Sequence, residues 1–135
     1  MAPYVDGFVL AIKKDKLDAY KQMASLGGKI WMKHGALAYY ECVGEDMTPP
    51  QMEMPEDHPD MGKMMTFPEM LKTSVEEVPV FSFIIFKSRE HRDEVNAKVM
   101  ADPEMSPEQY KDMEMPMDMN RMAYGGFQSF VNHQV

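Results

Sequence analysis

The apolar positions of this chain fall into patterns of two different periods. Val5 to Ile12 is an apolar stretch with β-branched and aromatic members, closed by Lys13 and Lys14, and it predicts a strand buried on both faces. Asp15 then stands as an N-cap, with Asp18 three residues on. Leu17, Tyr20, Ala24, Gly27, Trp31 and His34 follow at steps of three and four, one face of a helix. Gly27 and Gly28 inside it each cost roughly 1 kcal/mol relative to alanine, which points to a close approach to the sheet. His34 followed by Gly35 marks a basic last turn and a C′ glycine.

Ala36 to Val43 alternates as a second strand, with Leu37, Tyr39, Glu41 and Val43 on one face and Ala38, Tyr40 and Cys42 on the other. Val78 to Phe86 is the strongest strand signal. Ser88 caps a second helix from Arg89 to about Ala101, ended by Asp102-Pro103. Ser106-Pro107-Glu108-Gln109 has the form of a capping box and predicts a short helix to about Met113. Met122 to Val131 closes the chain as a fourth strand.

The order β-α-β-β-α-β, with right-handed crossovers, predicts an α+β, ferredoxin-like fold: a four-stranded antiparallel sheet with both long helices on one face. The third strand is apolar on both faces, Val80, Ile84 and Phe86 on one and Phe81, Phe83 and Ile85 on the other. Helices cover one face only, so the other is expected to be buried in a homodimer through sheet faces, a dimeric α/β barrel. The competing arrangement folds the long connection between the second and third strands back over that face.

That connection, residues 44–77, is read as a Met/Pro-rich insertion within one domain spanning 1–135. It holds seven of the 17 methionines; six more lie at positions 105, 113, 115, 117, 119 and 122. The net charge of −8 argues against nucleic acid and against anionic membrane surfaces as partners. A single cysteine, Cys42, excludes an intramolecular disulfide framework. With no signal-peptide pattern and no apolar run of membrane-spanning length, a cytoplasmic location is expected.

Five stretches together resemble a known family. They are Tyr4-Val5-Asp6-Gly7-Phe8; Trp31 through His34-Gly35-Ala36-Leu37 to Glu41; Phe81 to Arg89; His91-Arg92-Asp93-Glu94-Val95-Asn96 through Lys98-Val99-Met100 to Asp102-Pro103; and Met115-Pro116 through Arg121 to Phe127. This set resembles the YbaA-like bacterial family of unknown function, in the dimeric α/β-barrel superfamily. The resemblance implies a ferredoxin-like protomer and a sheet-to-sheet dimer, and it implies no reaction. The connector is expected to be longer and richer in methionine than the family's. Superfamily relatives include cofactor-independent monooxygenases, which makes an enzyme of that type one alternative.

Two constellations carry chemistry. The first is polar: Asp6, Glu41, Arg92, Asn96, Arg121 and Tyr124 as ligand-binding candidates, with His34 and His91 as acid–base candidates. A partly buried Arg92 needs an acceptor, which Asp6 or Glu41 could supply. The reading is a small polar or anionic ligand held between helices and sheet; its structural counterpart is an ion-pair network. The second constellation is thioether: Met52, Met54 and His58, with Met115, Met117 and Met119, as Cu(I) ligands or, with the weight on this side, as apolar packing or a protein-interaction surface. No cofactor is expected.

Overall fold

The computed structural model describes residues 2–135. Strand β1 (Tyr4–Lys13) leads through a 3-10 turn (Lys14–Lys16) into helix α1 (Leu17–Lys33). Strand β2 (Ala38–Val43), helix α2 (Phe67–Leu71), strand β3 (Glu77–Phe86), helix α3 (Arg89–Ala101) and strand β4 (Met122–Gln128) follow. The strands are ordered β2-β3-β1-β4, every neighbouring pair antiparallel. This is the ferredoxin-like sheet that the element order predicts.

Both long helices pack on one face, over two apolar clusters. Ile30, Ala36, Ile84, Phe86, Val95 and Val99 form one; Leu10, Ile12, Tyr20, Ala24 and Val80 form the other. Phe8 packs against both. The helix-facing side of β3 reads Val80, Ser82, Ile84, Phe86, so a small residue sits where the two clusters would otherwise merge.

The ends of α3 follow their chemistry. Ser88 Oγ accepts from the His91 backbone N–H at 3.1 Å, and Asp102, extended at ψ 128 before Pro103, stops the helix. Helix α1 ends at Gly35, whose φ of +112 lies in the region that favours glycine. Gly28 has the reason expected of it. A Cβ there would stand 2.9 Å from the Tyr39 ring, so glycine lets β2 approach the helix.

Several local expectations differ from the structure. Asp15 lies in the 3-10 turn and does not cap α1, whose N-cap is Lys16 without a side-chain hydrogen bond. The short helix expected from Ser106 is replaced by a 3-10 turn, Pro107–Gln109, for which Ser106 makes no side-chain cap; a separate 3-10 turn, Pro103–Met105, precedes it. Strand β2 begins at Ala38 and β4 ends at Gln128. Burial on both faces of β1 holds only at its end, where Leu10, Ala11 and Ile12 are all buried.

The connector contains an unanticipated element. Thr66 Oγ accepts from the Glu69 N–H at 3.2 Å and opens α2, a capping box legible in Thr66-Phe67-Pro68-Glu69. Helix α2 places Phe67 against Phe81, ring centroids 6.3 Å apart, on the outer face of the sheet. The connector therefore covers one end of that face. Phe83 and Tyr40, stacked at 5.0 Å, lie beyond it, and Tyr40 remains 53% exposed.

Candidate functional site

The polar residues singled out from the sequence separate into four neighbourhoods. In the first, α3 sets Arg92 above β1: its Nη1 donates to Asp6 Oδ1 at 2.7 Å and to Tyr124 Oη at 2.8 Å, while its Nε donates to Asp93 at 2.8 Å. Tyr124 Oη also donates to Asp6 Oδ1 at 3.0 Å, and the guanidinium lies 4.9 Å from the centre of the Tyr4 ring. Asp6, rather than Glu41, is the acceptor that the buried arginine requires. Burial and the Asp6 carboxylate push the Tyr124 phenol up, so it stays a donor.

Arg121 belongs elsewhere. It donates to Glu77 and to the Leu71 and Lys72 carbonyl oxygens, tying the end of α2 to the starts of β3 and β4. The Ser74 backbone N–H, followed by Arg121, holds the Glu77 carboxyl below its usual range. His34, at the end of α1, lies 2.7 Å from Asp102 Oδ2, which also accepts from Lys33 at 3.0 Å. These bonds and the Glu104 backbone N–H hold the Asp102 carboxyl well below the usual carboxylate range, the His34 contact contributing most. His91 accepts the Lys87 backbone N–H on Nδ1 at 2.9 Å and meets the edge of Phe86, a packing role.

Glu41 faces α1 from β2 in the fourth neighbourhood. Its Oε1 accepts from Tyr20 Oη at 2.6 Å and its Oε2 from Tyr39 Oη at 2.8 Å. Burial, then the carboxylate beside them, pushes both phenols far up. Asn96 is separate from Arg92's partners and accepts the Trp31 indole N–H at 3.0 Å, which fixes the indole between α1 and α3.

The Glu41 cluster forms one wall of a cavity of about 440 Å³. Helix α1 supplies Tyr20, Met23, Ala24, Gly27 and Trp31; the sheet supplies Phe8, Tyr39, Glu41, Ser82 and Ile84. The segment after α3 adds Met105, Tyr110, Met115, Met117 and Met119, and Met122 at the start of β4 completes the lining of this half-open space. Small residues on facing elements make the space: Ala24 and Gly27 on the helix, Ser82 on the strand. The covering segment is tied back by an ion pair from Lys16 to Glu114. Neither Arg92 nor His34 lines the cavity, and among the described residues no Lys, Arg or His does.

The methionines of the thioether constellation also part. Met115, Met117 and Met119 line the cavity, whereas Met52, Met54 and His58 stay in the connector and do not. Among the described residues no group of three or more His, Cys, Asp or Glu side chains could hold a metal ion. Sequence reasoning missed the cavity itself. Its signal was the interruption of an apolar strand by Ser82, opposite a helix carrying Ala24 and Gly27.

Fold and site together define a ferredoxin-like α+β protein with a thioether- and aromatic-lined chamber between helix and sheet. The chain belongs to the protein family of unknown function DUF1428, whose model matches residues 3–119. It is 40% identical over 129 residues to the uncharacterised protein YbaA of Escherichia coli K12, an alignment covering 96% of this chain and 97% of YbaA. The Shigella flexneri YbaA stands at the same identity and coverage. A dimeric ferredoxin-like protein from an uncultured marine organism is a far more distant likeness. It is 14% identical at a TM-score of 0.46, covering 98% of this chain and 99% of that one.

Proposed function

We propose that this protein binds a small, predominantly apolar molecule in the chamber between α1, the sheet and the segment 103–121. The observation that carries the reading is the chamber's size and lining. About 440 Å³ walled by aromatic and thioether side chains falls in the usual range for small-molecule sites. Methionine suits such a cover, because its unbranched, polarisable side chain adapts to the shape of what it encloses. An anionic ligand held by Arg92, Asn96 and Arg121 is not carried forward. Those residues bond to protein partners, and none of the three lines the chamber.

Methionine-methyl NMR with neutral indole as the probe tests the proposal. Met23, Met105, Met115, Met117, Met119 and Met122, which line the chamber, should shift on titration, while Met61, Met65 and Met100, which do not line it, stay fixed. Filling the space by Ala24→Leu should abolish the shifts. Indole that moves no chamber methionine, or moves the surface ones instead, refutes it.

A second part of the reading concerns assembly. Phe83, Ile85 and Tyr40 form the outer patch that α2 leaves uncovered, and a second copy of the chain presenting the same patch is its occupant. Sedimentation at micromolar concentration should give twice the chain mass, and Phe83→Glu should give the monomer. A monomeric wild type overturns this part and leaves the chamber untouched.

A further inference from the structure

The chamber is nearly all apolar, so its few polar groups decide what chemistry it accepts. Those groups have an unusual balance. The Tyr20 and Tyr39 hydroxyl protons are both spent on Glu41, at 2.6 and 2.8 Å. The Trp31 indole N–H is spent on Asn96, at 3.0 Å, and Tyr110 Oη donates to the Glu104 carbonyl oxygen at 3.2 Å. The aromatic donors on the wall are therefore committed to the protein. What remains free is acceptor capacity. A carboxylate offers about four lone-pair sites, and two phenols occupy only part of it. The phenol oxygens retain lone pairs as well. Ser82 adds one hydroxyl that can serve either way.

Charge points in the same direction. Glu41 brings a negative group to a chamber wall that carries no Lys, Arg or His among the described residues. A carboxylate facing apolar surroundings is held at a cost unless it is paired and hydrogen-bonded, and two neutral phenols supply the hydrogen bonds without supplying the opposite charge. Burial and the carboxylate both keep those phenols protonated, so they cannot turn into competing anions. The rings of Tyr20, Tyr39 and Trp31 all belong to the lining, and aromatic rings attract a cation placed over their faces.

Resting on the chamber as the binding site, we infer that its ligand is an amine: an apolar, ring-bearing or branched body enclosed by the methionines, with an ammonium group donating to Glu41. Charge-assisted hydrogen bonds are about twice as strong as neutral ones, so the ammonium end supplies orientation and selectivity while the body supplies burial. An anion of the same shape meets Glu41 head-on and finds no free cationic partner on the wall.

Three probes on one ring system separate the possibilities: tryptamine, its neutral analogue without the amino group, 3-ethylindole, and the anionic indole-3-propionate. They are titrated into the full-length wild type at pH 7 and read by the chamber methionine methyls. Tryptamine should bind at least roughly tenfold more tightly than 3-ethylindole, a step of one decade in Kd, and indole-3-propionate should bind weakest. Glu41→Gln keeps a side-chain oxygen and removes the charge; it should erase the preference for tryptamine over 3-ethylindole. Should that variant fail to fold, the ranking of the three probes on the wild type decides alone. If 3-ethylindole equals or exceeds tryptamine, the amine inference falls and the chamber reading stands. If none of the three moves the chamber methionines, the chamber reading falls and the amine inference with it.

Discussion

Removal of the Arg92 side chain is the sharpest test of how α3 is fastened to the sheet. Its guanidinium is 12% exposed and its partner Asp6 only 3%, with the closest contact 2.7 Å. Arg92→Ala leaves the Asp6 carboxylate buried with a single remaining donor, Tyr124 Oη at 3.0 Å. Breaking a buried ion pair by deleting one partner costs about 3–5 kcal/mol. The surviving Tyr124 bond, and the slight opening of the arginine to water, place this case near the lower end, about 3 kcal/mol. With a urea dependence of about 2 kcal/mol per molar, the unfolding midpoint should fall by about 1.5 M. Urea unfolding by circular dichroism at one fixed protein concentration measures it, since association would shift the apparent stability. The double variant Asp6→Asn with Arg92→Met should recover a large part of the loss, because neither charge is then left alone. A midpoint that moves by less than about 0.5 M for Arg92→Ala, under 1 kcal/mol at that slope, would refute the reasoning.

Three further outcomes are expected. Gly28→Ala should destabilise, although helix propensity alone favours it by about 1 kcal/mol; the added methyl would stand 2.9 Å from the Tyr39 ring, and a thermal melt that rises instead would show the ring gives way. Asp102→Asn should lower stability at pH above about 4, and the difference should shrink below that. The folded carboxyl is held under its ordinary value of 3.8, so its contribution is complete above that value and fades as falling pH protonates the unfolded chain first. Melts across pH 2–7 that keep a fixed gap would contradict this. Met115, Met117 and Met119 replaced together by leucine should leave the fold within about 1.5 kcal/mol per site and bind no Cu(I) in a competition titration. Tight copper uptake by the wild type that vanishes in the leucine variant would instead make the sulfurs ligands.

Much of the fold is written in short-range pattern. The apolar run at Val78–Phe86, the Ser88 cap, the Asp102-Pro103 stop and the glycine after His34 each act over a few residues, so they are legible without knowing what lies opposite. The weaker signals failed where neighbours decide. Ser106 has the letters of a cap, but its side chain makes no capping bond and only a 3-10 turn follows it. Thr66 has the same letters and does cap, because Phe67 finds Phe81 to rest on.

The site was legible only in its ingredients. From sequence, Asp6 and Glu41 were equivalent acceptors for Arg92. Register separates them: Asp6 on β1 pairs with Ile84, under α3, whereas Glu41 on β2 pairs with Ser82, under α1. The sequence by itself determined which residues form strands and helices and which faces are apolar, since those periods repeat every two or every 3.6 residues along one segment. Only the tertiary structure decided where Ala24, Gly27 and Ser82 would meet. A cavity exists where small residues on different elements coincide, and that coincidence is set by the packing of α1 on the sheet, a relation carried by no single stretch of chain.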